Sequence, residues 1–182
     1  MKVTKVTQID YAILGLVSQE PLSGYKIRMA FEKTALGNFS SSPGTIYPAL
    51  KRLVSLRLLE KKKRSETRKG PVDMAITKSG IQVLRDWFHS PVGREEVTKN
   101  RDLLLLRFAF MDGLVTVPSM IRFLASFEAS VTKYIKELEE FHTSEAPKLP
   151  VCGRLAVEHG IASYKATMTW CRAAQKHLKE KR

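Results

Sequence analysis

Hydroxyl side chains near residue 42 are the groups in this sequence best suited to binding a polyanion. Ser41, Ser42 and Thr45 surround the start of a helical pattern. The N-terminus of a helix favours an anion, because its backbone amides and the helix dipole both point towards it. Helix capping by Ser42 is the simpler interpretation of these hydroxyls, and it is compatible with phosphate contact. We therefore predict that this helix start contacts a nucleic acid.

Tyr47, Lys51 and Arg52 continue the polar side of the same helical pattern. In a helix-turn-helix, the second helix enters the major groove with its N-terminal residues on the base edges. Lys51 and Arg52 are placed for the DNA backbone or for guanine. Tyr47 can reach a base edge or a phosphate, or it can be partly buried between helices. We therefore predict a recognition helix from about residue 42 to residue 55.

A basic run follows the predicted recognition helix. Lys63 and Arg64 end the sequence Lys-Lys-Lys-Arg, and Arg68 and Lys69 come shortly after it. These residues lie on two short strand-like segments and the polar tip between them. A basic run in isolation is more often a solvated surface. Beside a recognition helix, we interpret this one as a wing that follows the adjacent groove or backbone of DNA.

The spacing of apolar residues predicts the elements that must hold these side chains. The predicted helices cover residues 8–18, 24–34, 42–55 and 77–89. A hairpin of residues 58–64 and 71–76 is predicted between the last two helices. This order is that of a winged helix-turn-helix, which we assign to residues 1–90. Pro48 predicts an irregularity, so that the helix either starts later than Pro43 or bends slightly.

Helical patterns also fill residues 91–182, so the fold class is mainly α, with a C-terminal long-helix dimerisation domain. Residues 100–111 are apolar nearly all round, which predicts a fully buried helix. A long helix from Pro118 and a last helix over about residues 154–180 carry apolar residues at alternating spacings of three and four. That pattern is typical of helices that pack on each other or on a second chain. The residues that form this seam are Leu124, Phe127, Val131, Tyr134, Leu138, Ile161, Tyr164 and Met168.

The net charge of +13 indicates a polyanionic partner. Residues 1–90 carry 16 Lys and Arg against 7 Asp and Glu, whereas residues 91–182 carry 15 against 11. The excess of positive charge therefore lies mostly in the half of the chain that contains the predicted recognition helix. No apolar run approaches the roughly 18 residues that span a bilayer, and we expect a cytoplasmic protein without a signal peptide. Cys152 and Cys171 fit no metal spacing, and a disulfide is not expected in a reducing compartment.

Three short motifs make the sequence resemble a known family. Residues 21–27 read Pro-Leu-Ser-Gly-Tyr-Lys-Ile, residues 41–53 read Ser-Ser-Pro-Gly-Thr-Ile-Tyr-Pro-Ala-Leu-Lys-Arg-Leu, and residues 76–80 read Ile-Thr-Lys-Ser-Gly. Over about residues 9–89, the sequence resembles the PadR family of bacterial transcriptional regulators. The remainder is similar to the helical C-terminal domain of the longer PadR-like proteins, the virulence-activator type.

The resemblance implies a homodimer held by the C-terminal helices. It also implies binding to a palindromic operator, most often with repression, and relief by a small aromatic or otherwise hydrophobic effector. The groove-contacting positions of the family fall on Ser42, Thr45, Tyr47 and Lys51, and its wing falls on residues 64–73. We expect no cofactor and no metal.

Two positions depart from the pattern of the family. Arg57 stands where a glycine usually precedes the first wing strand. Met74 stands where an aromatic residue is usual near the second strand, and it follows Asp73. These departures predict a wing that differs in shape or charge from that of the family.

A non-specific basic DNA-binding protein of the architectural kind is the main alternative, and a comparison of specific with random DNA distinguishes it. Trp87, Trp170, Tyr134 and Tyr164 could line a ligand pocket, although aromatic residues at helical spacing usually fill cores. Catalysis is not expected, because acidic residues cluster only within residues 137–140, on the exposed side of a helix. Neither a paired-carboxylate site nor a nucleophile with a positioned base is predicted.

Overall fold

The chain is mainly helical and has one small antiparallel sheet, as the sequence predicts. The computed structural model describes residues 6–33, 42–63 and 72–180, without the side chain of Lys63. In chain order, the elements are α1 (Gln8–Gln19), β1 (Leu22–Ser23), α2 (Gly24–Lys33), α3 (Pro43–Ser55), β2 (Leu59–Lys63), β3 (Val72–Ile76), α4 (Lys78–His89), α5 (Arg94–Lys99), α6 (Arg101–Ala109), α7 (Val117–Ser144) and α8 (Val151–Glu180). A 3₁₀ turn over Ala146–Lys148 precedes α8.

The chain divides into two compact units. The first comprises residues 1–88 and 105–114, and the second comprises residues 89–104 and 115–182. The sequence assigned residues 105–114 to the C-terminal domain, yet they cluster with the first unit, where Phe110 packs directly against Gly15. The assignment of a DNA-binding role to residues 1–90 and a dimerisation role to residues 91–182 stays a prediction.

The apolar faces of short helices form the core of the first unit. Its fully buried side chains include Ile13, Ile27, Phe31, Ile46, Leu53 and Leu84. Burial of each such side chain contributes roughly 1.5–3 kcal/mol. The predicted order of three helices, a hairpin and a helix is confirmed. Burial of amphipathic faces, more than intrinsic helix propensity, stabilises helices this short.

A third strand joins the predicted hairpin. Strands β2 and β3 pair antiparallel, from Leu59 opposite Ile76 to Lys63 opposite Val72. The other edge of β3 pairs with β1, which the sequence did not reveal, so the strand order is β1-β3-β2. A strand of two residues is too short to show an alternating pattern. The predicted tip of the hairpin, residues 64–71, lies outside the described residues.

Helix α6 is less buried than the sequence predicts. Leu105 is 39% exposed, whereas Arg107 is only 1% exposed. The Nη2 of Arg107 donates a hydrogen bond of 2.9 Å to the carbonyl oxygen of Phe88, and its guanidinium lies 5.7 Å from the centre of the Trp87 ring. Such partners reduce the cost of burying a charge. The prediction of a fully buried helix is wrong, because a run of leucines does not indicate which of them faces solvent.

In the second unit, α7 and α8 form an antiparallel helical hairpin. The carboxylate of Glu128 accepts hydrogen bonds from Arg172 Nε at 2.6 Å and from Gln175 Nε2 at 2.8 Å. The bond from Arg172 holds the pKa of Glu128 below its usual value. Closer to the turn, Tyr134 and Tyr164 meet edge to face, with ring centroids 4.9 Å apart. The two long helices therefore pack on each other, which is one of the two arrangements that the seam predicts.

The short helix α5 follows closely after residue 90, where the sequence placed the end of the first domain. The amide of Gly93 donates a hydrogen bond of 2.7 Å to the carboxylate of Glu96, which caps this helix. Arg94 Nε then contacts Glu137 Oε2 at 2.8 Å, so α5 is attached to α7. Its six residues are too few for a clear helical period.

Both cysteines are free thiols, as expected. Burial raises the pKa of the Cys171 thiol to about 12, so this group stays protonated at neutral pH. Within residues 6–33, 42–63 and 72–180, no group of three His, Cys, Asp or Glu side chains could hold a metal ion. In the same part of the chain, no helix combines the length and the hydrophobicity that crossing a membrane requires.

Candidate nucleic-acid interface

The predicted recognition helix, α3, begins at Pro43, directly after Ser42. Ser42 has the extended backbone of an N-cap residue, with φ −62° and ψ 142°. Its Oγ lies 2.9 Å from Thr45 Oγ1, and its carbonyl oxygen accepts hydrogen bonds from the amides of Thr45 and Ile46 at 3.0 and 3.1 Å. Because proline has no amide hydrogen, the first backbone amide within α3 that can donate to a phosphate is that of Gly44.

Pro48 lies inside α3 without ending it. It has no amide hydrogen to donate to the carbonyl oxygen of Gly44, four residues earlier. Both residues are exposed, so solvent or a bound molecule can donate to that oxygen. The sequence left open whether the helix starts later than Pro43 or bends slightly. The prediction of a later start is wrong, because α3 begins at Pro43.

Helix α3 separates an apolar face from a polar one. Its inward side chains are Ile46, Ala49, Leu50 and Leu53, all of them buried. On the other side, Tyr47 and Lys51 are exposed, Ser42 is exposed at the helix start, and Thr45 is half-buried. We call these four outward residues the helix face. The structure therefore leaves four of the predicted contact residues outside the buried side of α3.

The ring of Tyr47 rests on the first residue of α2. A Cβ atom on Gly24 would lie 2.9 Å from Cε1 of Tyr47 and 3.3 Å from Cδ1 of Leu50. Only glycine therefore allows the ring to approach this backbone closely. The Tyr47 side chain is nevertheless 44% exposed. Partial burial and DNA contact, which the sequence offered as alternatives, are both compatible with this position.

Arg52 binds an acidic residue within the first unit. Its Nε and Nη2 donate hydrogen bonds of 3.1 and 2.7 Å to the two carboxylate oxygens of Asp10. The Asp10 side chain is 0% exposed and that of Arg52 is 30% exposed. A bidentate pair fixes direction as well as distance, so Arg52 positions α3 against α1. The predicted contact of Arg52 with DNA stays a prediction.

Asp10 is the residue that the sequence reasoning overlooked. Its Oδ2 also accepts hydrogen bonds from the backbone amide and the hydroxyl of Thr7, both at 2.8 Å. The same carboxylate therefore caps the start of α1. A threonine followed three residues later by an acidic residue has the spacing of a capping box, which could have indicated this role. The link to Arg52, 42 residues further along the chain, has no such local signal.

Helix α3 ends at a residue in the left-handed region. Arg57 has φ 56°, the only positive φ of a non-glycine residue in the part of the chain that the structure describes. Its amide donates to the carbonyl oxygen of Val54, and the amide of Leu58 donates to that of Leu53, both at 3.0 Å. This is a Schellman motif, in which glycine is usual at the left-handed position. Arginine adopts that conformation at a cost of about 1–2 kcal/mol.

The residues at the start of α4 are hydrogen-bonded to this turn. Thr77 Oγ1 donates a hydrogen bond of 2.7 Å to the carbonyl oxygen of Arg57 and accepts one of 3.1 Å from the amide of Gly80. The amide of Thr77 donates to the carbonyl oxygen of Leu58 at 3.1 Å. A Cβ atom on Gly80 would come within 2.3 Å of that same oxygen. The Thr-Lys-Ser-Gly motif therefore joins the end of α3 to the start of α4.

The predicted wing is the hairpin of β2 and β3. Lys61 and Lys62 are exposed on β2, where Lys61 lies opposite Met74 and Lys62 lies opposite Asp73. The backbone of Lys63 belongs to the same strand. The remaining predicted contacts lie outside the described residues, namely the side chain of Lys63 together with Ser41, Arg64, Arg68 and Lys69.

The seam residues of the second unit differ in burial. Leu124, Phe127 and Val131 are each 0% exposed. The half-buried members are Tyr134, Leu138, Ile161, Tyr164 and Met168. The three fully buried side chains pack within their own chain, so in this arrangement only the half-buried members can reach a second chain. Dimerisation through the seam stays a prediction.

Comparisons with known proteins match both halves of the chain. Residues 13–86 match the transcriptional regulator PadR-like family, and residues 100–179 match the virulence activator alpha C-terminal family. Over 104 residues, the chain is 36% identical to the negative transcriptional regulator PadR of Bacillus subtilis. The aligned region makes up 55% of this chain and 56% of that protein. Over 122 residues, it is 30% identical to the transcriptional regulator YqjI of Escherichia coli. This aligned region makes up 67% of this chain and 54% of that protein. The chain therefore spans about half the length of the curated relatives that it matches.

The solved structures to which the chain is similar include that of a PadR-like transcriptional regulator from Bacillus cereus. It has 24% sequence identity and a TM-score of 0.42, over 95% of this chain and 99% of that chain. Bacillus subtilis PadR in complex with operator DNA has 22% identity and a TM-score of 0.42, over 94% of this chain and 99% of that chain.

Replacing Asp10 with asparagine tests whether this carboxylate holds α3 in place. The amide keeps the shape but removes the charge that pairs with Arg52. We expect the free energy of unfolding, measured by urea denaturation, to fall by about 2–3 kcal/mol. Glu32→Gln is the control, because it breaks the exposed 3.2 Å pair of Arg28 and Glu32, at an expected cost below about 0.5 kcal/mol. Equal losses in the two variants would contradict this role.

Proposed function

Since the chain belongs to the PadR-like family of transcriptional regulators, with a C-terminal region of the virulence-activator type, we propose that it is a sequence-specific regulator that binds double-stranded DNA. In this proposal α3 enters the major groove, as the second helix of a helix-turn-helix does. Repression is the proposed outcome, because the relative in Bacillus subtilis is a negative regulator. The protein would act in the cytoplasm, where the bacterial chromosome lies, and it would catalyse no reaction.

The observation that carries this proposal is the helix face. Ser42, Thr45, Tyr47 and Lys51 all lie outside the buried side of α3, which is formed by Ile46, Ala49, Leu50 and Leu53. The hydroxyls can bond to phosphates or base edges, and the ammonium group of Lys51 can replace counterions on the DNA backbone. A single surface thus combines groups that position DNA with groups that can read bases.

The charge around the helix face supports the same function. Lys61 and Lys62 are exposed on the neighbouring wing. The 16 basic residues of positions 1–90 exceed the 7 acidic ones. Such an excess attracts DNA over a distance and speeds its association. Arg52 contributes indirectly in this proposal, because its contact with Asp10 orients the helix that carries the helix face.

We also propose that two chains act together as a homodimer on a palindromic operator. One recognition helix reads only a few base pairs, whereas two helices about 34 Å apart read a two-part site. Exposed apolar side chains at the turn of the α7–α8 hairpin support a surface for a second chain, because clusters of such groups commonly mark interfaces. They are Phe141, Leu149, Val151 and Leu155, which are 36–59% exposed.

A small hydrophobic or aromatic effector completes the proposal. The tryptophans that the sequence offered as pocket lining pack against other rings within their own units. Trp87 stacks on Tyr11 with ring centroids 4.5 Å apart, and Trp170 meets Phe127 edge to face at 6.5 Å. These contacts favour core packing, so we do not propose the tryptophans as the effector site.

Selection of bound sequences from a random pool of duplex DNA tests the proposal. It separates specific recognition from architectural binding, the alternative that the net charge alone would favour. We expect enrichment of one palindromic sequence whose half-sites are about one helical turn apart. We expect binding to it at least about 10³-fold tighter than to a scrambled duplex, measured by fluorescence anisotropy. Equal affinity for both duplexes would identify an architectural protein instead.

Replacing Lys51 with alanine tests the contact between the helix face and the DNA backbone. Each lost phosphate contact removes one released counterion. We therefore expect the slope of log affinity against log salt concentration to decrease in magnitude by about one. Lys133→Ala, which removes an exposed lysine from α7, should leave the slope unchanged. An unchanged slope for Lys51→Ala would place this side chain away from the phosphates.

Replacing Leu155 with glutamate tests the dimer surface. A charge at a packed interface loses its hydration, so we expect the dimer to dissociate at least about tenfold more readily in sedimentation equilibrium. The control is Leu105→Glu in the first unit, because Leu105 is 39% exposed and Leu155 is 54% exposed. A dimer that persists equally in both variants would move the interface elsewhere, and a monomeric unmodified chain would remove the dimer from the proposal.

A further inference from the structure

An exposed tyrosine lies in the first turn of α2. The Tyr25 side chain is 60% exposed, more than any other large hydrophobic side chain that the structure describes. Lys26, the next residue, is also exposed, whereas Ile27 is buried in the core. A single hydrophobic side chain on a surface is common and needs no partner. The neighbours of Tyr25 and its place in the fold distinguish it from such a residue.

Arg28 holds the ring of Tyr25. The guanidinium carbon of Arg28 lies 5.6 Å from the centre of that ring, within the distance of about 6 Å at which an aromatic face attracts a cation. The Nη1 of Arg28 also donates a hydrogen bond of 3.2 Å to the carboxylate of Glu32. The guanidinium therefore lies between the ring and a carboxylate of the same helix. This arrangement orients Tyr25 while its side chain stays accessible to solvent.

Strand β1 and α3 determine where this turn lies. Gly24, directly before Tyr25, is so close to Tyr47 of the helix face that a Cβ atom on it would lie 2.9 Å from the ring. Ser23 pairs with Asp73 of β3, which is one of the two strands of the wing. The start of α2 is therefore attached both to α3 and to the wing, which carry the proposed DNA surface. A duplex that contacts α3 thus passes near the first turn of α2.

The dimensions of a helix and of the major groove favour a contact of this turn with phosphates. An α-helix with its side chains is about 10–12 Å across, and the major groove of B-DNA is about 12 Å wide. A helix in the groove therefore lies directly beside the two sugar-phosphate strands. Elements that adjoin such a helix meet phosphates sooner than base edges. Tyrosine hydroxyls and lysine ammonium groups are common partners of phosphates.

The groups that the first turn of α2 offers are side chains. The backbone amide of Lys26 already donates a hydrogen bond of 3.2 Å to Ser23 Oγ, which caps the helix. The Tyr25 hydroxyl and the Lys26 ammonium group both belong to exposed side chains. They supply one hydrogen-bond donor and one positive charge within two consecutive residues.

We propose that Tyr25 and Lys26 form a second contact with DNA, which we call the α2 contact. In it, the Tyr25 hydroxyl donates a hydrogen bond to a phosphate oxygen, and the Lys26 ammonium group pairs with the same phosphate or the next one. Arg28 is a positioning residue, because it holds the ring. The α2 contact adds affinity without reading sequence, since phosphates are alike in every duplex. This inference rests on the proposed function, in which α3 lies in the major groove.

Replacing Tyr25 with phenylalanine in the full chain tests the hydrogen bond. Fluorescence anisotropy measures binding to two labelled duplexes, the palindrome selected from the random pool and a scrambled duplex of the same composition. We expect binding to both duplexes to weaken at least about fivefold, because the ring stays and only the hydroxyl is lost. Tyr134→Phe removes a hydroxyl from α7 and should change neither affinity. Unchanged affinities for Tyr25→Phe would overturn the α2 contact.

Replacing Lys26 with glutamine tests the charge. We expect the slope of log affinity against log salt concentration to decrease in magnitude by about one with both duplexes. The ratio of the two affinities should stay within about twofold of that of the unmodified chain, because phosphate contacts do not discriminate sequences. Lys133→Gln, on α7, should leave the slope unchanged. An unchanged slope for Lys26→Gln, or weaker binding to the selected duplex alone, would contradict the proposal.

A double-mutant cycle tests the role of Arg28. We expect Arg28→Gln to weaken DNA binding in the unmodified chain but to have no further effect in Tyr25→Ala, because Arg28 acts through the ring. Additive losses would place Arg28 on a phosphate and contradict its positioning role. Thermal unfolding establishes that each variant is folded.

The two duplexes also separate the α2 contact from the proposed function. Equal affinity of the unmodified chain for both duplexes would overturn sequence-specific regulation, and the variants would still show whether the first turn of α2 contacts phosphates. Clear discrimination between the duplexes, together with variants that bind as tightly as the unmodified chain, would overturn the α2 contact alone.

Discussion

The orientation of α3 depends on one buried carboxylate that accepts hydrogen bonds both at the start of α1 and from α3. Asp10 accepts two hydrogen bonds from Thr7 at the start of α1 and two from Arg52 in the middle of α3. Withdrawing a carboxylate from water is costly, and these four donors, one pair of them charged, offset that cost. A rotation of α3 about its axis would break the bidentate pair and carry Ile46 out of the core. The direction in which the outward side chains point therefore depends on this pair.

The C-terminal end of α3 is fixed by a different interaction. The left-handed turn at Arg57 is bonded to Thr77, and Gly80 leaves room for the carbonyl oxygen of Leu58. In the region between, Gly24 allows the ring of Tyr47 to rest on α2. These contacts give a physical reason for the short motifs in the sequence, because several of their glycines and hydroxyls hold α3 in place. Fewer residues of the motifs are then available for recognition than their number suggests.

The sequence predicted the features that depend on local periodicity. The apolar spacing of α3 identified its buried face, and Ser42 with Pro43 marked its start. The ion pair of Asp10 with Arg52 could not be predicted, because its partners are 42 residues apart and either one alone suggests a solvated charge. The burial of Arg107 within a leucine-rich helix could not be predicted for a related reason, because its partners, Phe88 and Trp87, come from another helix. Periodicity thus identifies which face of a helix is buried, but not which polar group on that helix is held inside.

Competition and allostery make different demands on a protein of this architecture. An effector that binds far from the DNA must favour one of two conformations, and it can shift DNA affinity only by its difference in affinity for the two. A ligand that competes for the helix face itself needs no second conformation, because it would occupy Tyr47 and Lys51 directly. Such a mechanism suits a helix held by Asp10 at one side and by Thr77 at its end, since neither contact has to break. The rigidity that would present these side chains to DNA would equally present them to such a competitor.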